Sequence, residues 1–169
     1  DPTLFIPSII WMWKLTLLMR LHNYFHPWVK ATLKRKMHYD NYKSIFNSYR
    51  KKEVFSKIDD KNLSIYIQSI TTKNRNGVNI TYPKEWEYQI YKTGLKADSY
   101  IWKNIKYINI PVLIIRSIHS NAFLKSASGR INNINKKNIN IITLDDCTHL
   151  FPLEIPDVVS KIILDYLSN

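Results

Sequence analysis

Cysteine occurs once in the 169 residues, at Cys147, and glycine three times, at Gly77, Gly94 and Gly129. A lone cysteine excludes an internal disulfide framework and suits a reducing compartment, so a cytoplasmic setting is expected. The three glycines build no glycine-rich phosphate loop. No apolar run is long enough to cross a bilayer: the stretch from Leu4 to Leu21 is interrupted by Pro7, Lys14 and Arg20, short of the roughly 18 to 20 apolar residues a span needs. The same stretch has no basic leader before it and does not read as a signal peptide. It reads instead as an amphipathic or buried helix.

What is abundant is apolar and basic. A hydrophobic content of 45% with 13% aromatics is globular, and the formal charge is +12. The excess is uneven, with 14 Lys/Arg against four acids between Lys14 and Arg75, and seven against five from Lys106 onward. Such a stripe is the electrostatic footprint of a nucleic-acid or anionic-membrane surface. No base-reading fold, phosphate loop or zinc spacing accompanies it, so no nucleic-acid partner is expected. His22, His26 and His38 lack acidic companions at ligand spacing, and neither a metal nor a cofactor is expected.

Two halves meet near residue 105. Up to there the patterns are helical: Ser8 to Leu21, Pro27 to Met37, Tyr42 to Arg50, and Lys61 to Ile70 behind the capping candidates Asp59 and Asp60. Asn76-Gly77 is a turn signal. Val78 to Tyr82 alternates like a short extended segment, and Pro83 opens a further helix through Tyr91. In the second half, Ile110 to Ile115 and Ile139 to Leu144 read as strands of a parallel sheet. Helices are expected at Asn121 to Ile134 and Pro156 to Leu167.

The loop after the second strand carries the chemistry. His149 follows the C-terminal end of a strand, where open α/β sheets place catalytic groups. The pattern Thr148-His149, Phe151-Pro152, Glu154, Pro156 resembles the α/β-hydrolase family, in which a catalytic histidine after the last strand precedes an acid, a proline and the final helix. Ile110-Pro111-Val112-Leu113-Ile114-Ile115-Arg116-Ser117 resembles that family's penultimate strand, with Ser117 where glycine is usual.

The resemblance implies an α/β fold: the C-terminal portion of an α/β-hydrolase sheet, residues 106–169, with an inserted all-helical cap at 5–105. It implies His149 as general base. The family's acid position falls nearest His119, Ser120 and Asn121, none of them a carboxylate; Asn121 could orient an imidazole but not balance its charge. Asp1-Pro2 resembles the alternative placement after the preceding strand, which makes Asp1 the preferred candidate acid. Asp145 and Asp146 lie too near His149 in sequence to be preferred.

The family's Gly-x-Ser-x-Gly elbow and oxyanion hole come earlier in chain order, and none of the three glycines sits in such a motif. The expected protein is therefore a hydrolase fragment, inactive alone, whose serine-type chemistry would cleave an ester or similar small apolar substrate. An Asp nucleophile acting on epoxides or carbon–halogen bonds, a non-catalytic relative, and a basic nucleic-acid or membrane-surface module are the alternatives. Trp11, Trp13, Phe25 and Trp28 are cap-packing or pocket candidates. Glu85 and Glu87 are expected to be structural at a helix start, and Cys147 a small buried residue.

Overall fold

The computed structural model describes residues 2–21 and 31–168. The expected helix from Pro27 to Met37 lies partly outside these residues; within them, 31–33 are helical. Phe25 and Trp28 also fall outside. The elements are α1 (Pro7–Leu18), β1 (His38–Tyr39), α2 (Tyr42–Arg50), α3 (Asp60–Ser69), β2 (Thr71–Asn74), β3 (Gly77–Ile80), α4 (Lys84–Asn104), β4 (Val112–Ser117), α5 (Lys125–Asn135), β5 (Ile139–Leu144), α6 (Phe151–Glu154) and α7 (Pro156–Leu167). Short 3₁₀ turns occupy Glu53–Phe55 and Ile105–Tyr107.

The chain forms two compact units. The first comprises residues 1–35, 83–116 and 121–142. Here α1 starts at a proline, whose missing N–H costs nothing in a first helical turn. Its Ile10 and Trp13 are buried with Leu95 of α4. α4 also fastens the chain ahead of α1: the Phe5 N–H donates to the Asp98 carboxylate at 2.9 Å, and the Trp102 indole donates to the Phe5 carbonyl at 2.6 Å. Two side chains one helical turn apart thus satisfy both backbone groups of one residue. Burial pushes the Asp98 carboxyl up from its ordinary value, and the Phe5 N–H partly offsets this. A second core joins Leu4, Ile105, Phe123, Ala127, Ile131 and Ile139, with Val112, Ile114 and Ile141 against it. One face of the β4–β5 sheet is therefore packed against α5.

β4 and β5 run parallel. Val112 N–H donates to Asn138 O and Ile118 N–H to Leu144 O, so donor and acceptor numbers advance together, as only parallel pairing allows.

The second unit comprises residues 36–82, 117–120 and 143–169. Its core is Tyr39, Ile45, Tyr49, Phe55, Ile58, Leu63, Ile67 and Ile80, and the Tyr49 and Phe55 rings stack at 5.0 Å. Asn41 and Ser44 form a reciprocal capping box on α2. Asp59 caps α3 by accepting the Asn62 N–H at 2.7 Å, as its position before that helix predicts. Arg50, at the end of α2, donates to the carbonyls of Phe55 and Ile58 and pairs with Asp60. One guanidinium thereby joins two helix ends and the turn between them.

The expectation of an all-helical segment at 5–105 is corrected here. Strands β1, β3 and β2 form a three-stranded antiparallel sheet in that order, with Thr71↔Ile80 and His38↔Asn79 as register pairs. The extended reading of residues 78–82 belongs to β3, and its neighbours were hidden by brevity. β1 has two residues, and β2 reads Thr-Thr-Lys-Asn with only its first half β-branched. Gly77 takes a φ of +136° at the Asn76-Gly77 turn, where an added Cβ would meet the Tyr39 carbonyl oxygen at 2.3 Å.

Candidate active site

β5 ends at Leu144, and the chain turns through Asp145 and Asp146 into the histidine loop. Asp146 takes a left-handed φ of +55°, which aspartate tolerates better than most residues. Its carbonyl accepts the Lys57 ammonium at 2.8 Å. Cys147 is buried and turns inward, its thiol held above the ordinary value by burial. A protonated, enclosed thiol is a packing group rather than a nucleophile.

The buried Ser117 hydroxyl donates to the Cys147 carbonyl at 2.5 Å and accepts the His119 N–H at 3.0 Å. The end of β4 and the histidine loop are therefore stitched together by one side chain. This accounts for a serine where the family pattern has glycine: the departure supplies a bridge that glycine could not. Sequence reading noted the substitution and missed its role.

A second clamp closes the loop on itself. Thr148 donates both its N–H, at 2.8 Å, and its hydroxyl to the two oxygens of Glu154, while the same hydroxyl accepts the Leu150 N–H at 3.1 Å. The short helix α6 places Glu154 for this, beginning at Phe151 with Pro152 in its first turn. Phe151 is buried, and Leu150 and Leu153 pack against the Tyr39–Ile80 core of the same unit. His149 lies between these anchors and is half-buried. Burial lowers its imidazole pKa below the ordinary 6.5, so the ring is neutral at pH 7 and able to accept a proton.

Asp1 lies outside the described residues. Asn121 is exposed in a bend ahead of α5, and the neighbouring Ser120 is buried. Glu87 pairs with Arg35 and accepts the Tyr91 hydroxyl, the structural role anticipated for it, and Glu85 shares the first turn of α4. His38 bonds Asn79 across the β1–β3 pair at 2.7 Å. His22 and His26 lie outside the described residues. Among the described residues, no group of three or more His, Cys, Asp or Glu side chains is placed to hold a metal ion, and no helix is long and apolar enough to cross a membrane.

No protein-family model matches the sequence, and no curated protein matches it. Solved structures do. An E-2-(acetamidomethylene)succinate hydrolase superposes with a TM-score of 0.69 at 15% identity, over 83% of this chain and 52% of that one. A peroxisomal alpha-beta-hydrolase of Saccharomyces cerevisiae gives 0.66 at 17%, over 78% and 36%. An esterase of M. tuberculosis gives 0.62 at 13%, over 99% and 53%. The chain has the α/β-hydrolase fold, and it spans about half or less of the length of these structures.

Proposed function

We propose that this chain is the C-terminal portion of a hydrolase in which His149 is the general base of a serine-type reaction. The observation that supports this most is the setting of His149 itself: a half-buried imidazole with a lowered pKa, on a loop clamped from both sides at the end of a sheet strand. A base of that kind takes a proton from a hydroxyl nucleophile and returns it to the leaving group. The likeness to an esterase and to a succinate-derivative hydrolase supports hydrolysis as the reaction class, and fold likeness carries the class only coarsely.

In this reading Asp1 is the acid that orients His149, with Asn121 the weaker candidate. Residues 5–105 form the cap that shapes a site for a small apolar ester, and the nucleophile belongs to the remaining half of the fold.

The test is hydrolysis of a short-chain aryl ester by the complete gene product, with His149→Ala and Asp1→Asn beside the parent. Loss of a general base costs roughly 10²- to 10⁴-fold in rate, so a folded His149→Ala protein is expected to fall in that range. An unchanged rate in that variant would remove His149 from the chemistry. Activity lost in Asp1→Asn and kept in Asn121→Ala would assign the acid to Asp1.

A further inference from the structure

Ser117 is the last residue of β4 and is fully buried. The Cys147 carbonyl that takes its hydroxyl proton at 2.5 Å and the Thr148 N–H that donates to Glu154 at 2.8 Å are the two ends of one peptide group. That group is planar, so a plane held at both ends cannot tilt without losing a bond. Beyond His149, the Leu150 N–H donates to the Thr148 hydroxyl at 3.1 Å. The backbone is therefore fixed one plane before His149 and again at the plane that follows it.

The anchors differ in reach. Glu154 and the Thr148 hydroxyl hold the loop to itself, across six and two residues, and so fix its shape. Ser117 reaches it from 30 residues earlier in the chain and fixes where it stands. Lys57 also reaches in, but its bond to the Asp146 carbonyl is exposed, and water competes for both partners there. A buried hydroxyl has no such substitute.

The same hydroxyl accepts the His119 N–H at 3.0 Å and so holds the turn after β4 as well. This turn carries His119, Ser120 and Asn121, the stretch nearest the family's acid position, and none of the three is a carboxylate. An acid would orient the base by bonding its imidazole. Ser117 acts on the same ring through the main chain that carries it.

We propose that Ser117 is a positioning residue for His149, setting the place of the imidazole by holding the backbone on which it is mounted. Its consequence for catalysis rests on the reading of His149 as the general base, whereas the placement of the ring is measurable without catalysis.

The test compares Ser117→Ala, Ser117→Thr and Val159→Ala with the parent, all in the complete gene product and each checked by circular dichroism for retained fold. Val159 is a buried residue of α7 outside the loop. The two readouts are ester hydrolysis and the His149 ring resonances by NMR. Ser117→Ala is expected to lower kcat by roughly 10²-fold, the scale of an ångström of misplacement, with KM little changed, and to broaden or split the ring signals. Ser117→Thr keeps the hydroxyl and should recover much of both, while Val159→Ala should leave both as in the parent. Parental ring signals in the folded alanine variant, a parental kcat in an active enzyme, or an equal change in Val159→Ala would overturn the proposal. A parent that hydrolyses no ester, with ring signals that still respond to Ser117→Ala, would remove the hydrolase reading and leave the placement of His149 by Ser117 standing.

Discussion

Thr148 and Glu154 are joined twice, the N–H and the hydroxyl of the threonine each donating to one oxygen of the carboxylate. The pair closes the short loop in which His149 sits. Removing the carboxylate leaves the Thr148 N–H and the hydroxyl's own O–H without an acceptor in a half-buried site, although the hydroxyl oxygen keeps the Leu150 N–H, at a cost of about 1–3 kcal/mol. Glu154→Ala is expected to lose about that much in urea unfolding and to broaden the His149 ring resonances. Glu154→Gln can still accept the N–H and donate to the hydroxyl, and is expected to recover most of the loss. Equal stability of the alanine variant and the parent would show that the clamp carries no energy.

His149 sets a pH dependence of known sign. Its folded pKa lies below the unfolded value of 6.5 because burial disfavours the charged ring. Above 6.5 the ring is neutral in both states and its contribution is full. As pH falls below that value the unfolded chain takes up the proton first, and stability declines until the folded pKa is reached. The ring is expected to titrate below 6.5 by NMR, and His149→Gln should flatten the fall in unfolding free energy between pH 7 and 5. A midpoint above 6.5 would contradict the burial argument.

Gly77 separates local strain from helix propensity. Its φ of +136° and the Tyr39 carbonyl 2.3 Å from an added Cβ leave no room for a side chain. Gly77→Ala is therefore expected to cost more than about 1 kcal/mol. Gly94 and Gly129 lie exposed in α4 and α5 with open space around an added Cβ. Alanine at either is expected to stabilise the chain by about 0.5–1 kcal/mol. Thermal unfolding of the three variants would show opposite shifts; a shared sign would refute the distinction.

Strands and helices were legible where local pattern and tertiary use agree. Ile139–Leu144 and Pro156–Leu167 have the expected bounds, because an apolar run and a proline-started amphipathic stretch need no distant partner to declare themselves. The preceding strand begins at Val112 instead of Ile110: Pro111 has no N–H to donate, and the first ladder bond is made by Val112.

The next helix begins at Lys125 instead of Asn121 for a tertiary reason. The carbonyls of Ala122 and Phe123 accept from the Leu4 N–H and the Arg116 side chain, partners 118 and seven residues away along the chain that no local pattern reveals. α4 runs on to Asn104, past the expected end at Tyr91, through Gly94, held by Asp98 and Trp102 on Phe5. At the site, His149 and Glu154 stand out in sequence by spacing. The Ser117 bridge shows there only as a missing glycine.

Asp98 carries the last expectation. It is 4% exposed, and its carboxyl pKa is raised by burial even though the Phe5 N–H favours the ionised form. A carboxylate with a folded pKa above its unfolded value contributes most when protonated, and that contribution is lost as pH rises from the unfolded value through the folded one. At pH 7 the charge is therefore a net cost, while the hydrogen bond to Phe5 is a gain. Asp98→Asn keeps an acceptor oxygen for the Phe5 N–H and removes the charge, so it is expected to equal or exceed the parent in stability at pH 7 and to fall below it in relative terms near pH 3. Asp98→Ala removes the acceptor as well and is expected to lose about 1–3 kcal/mol. Chemical unfolding of both variants at the two pH values separates the terms. A destabilised Asp98→Asn at pH 7 would mean that the ionised carboxylate is a favourable partner here and that the burial cost has been overstated.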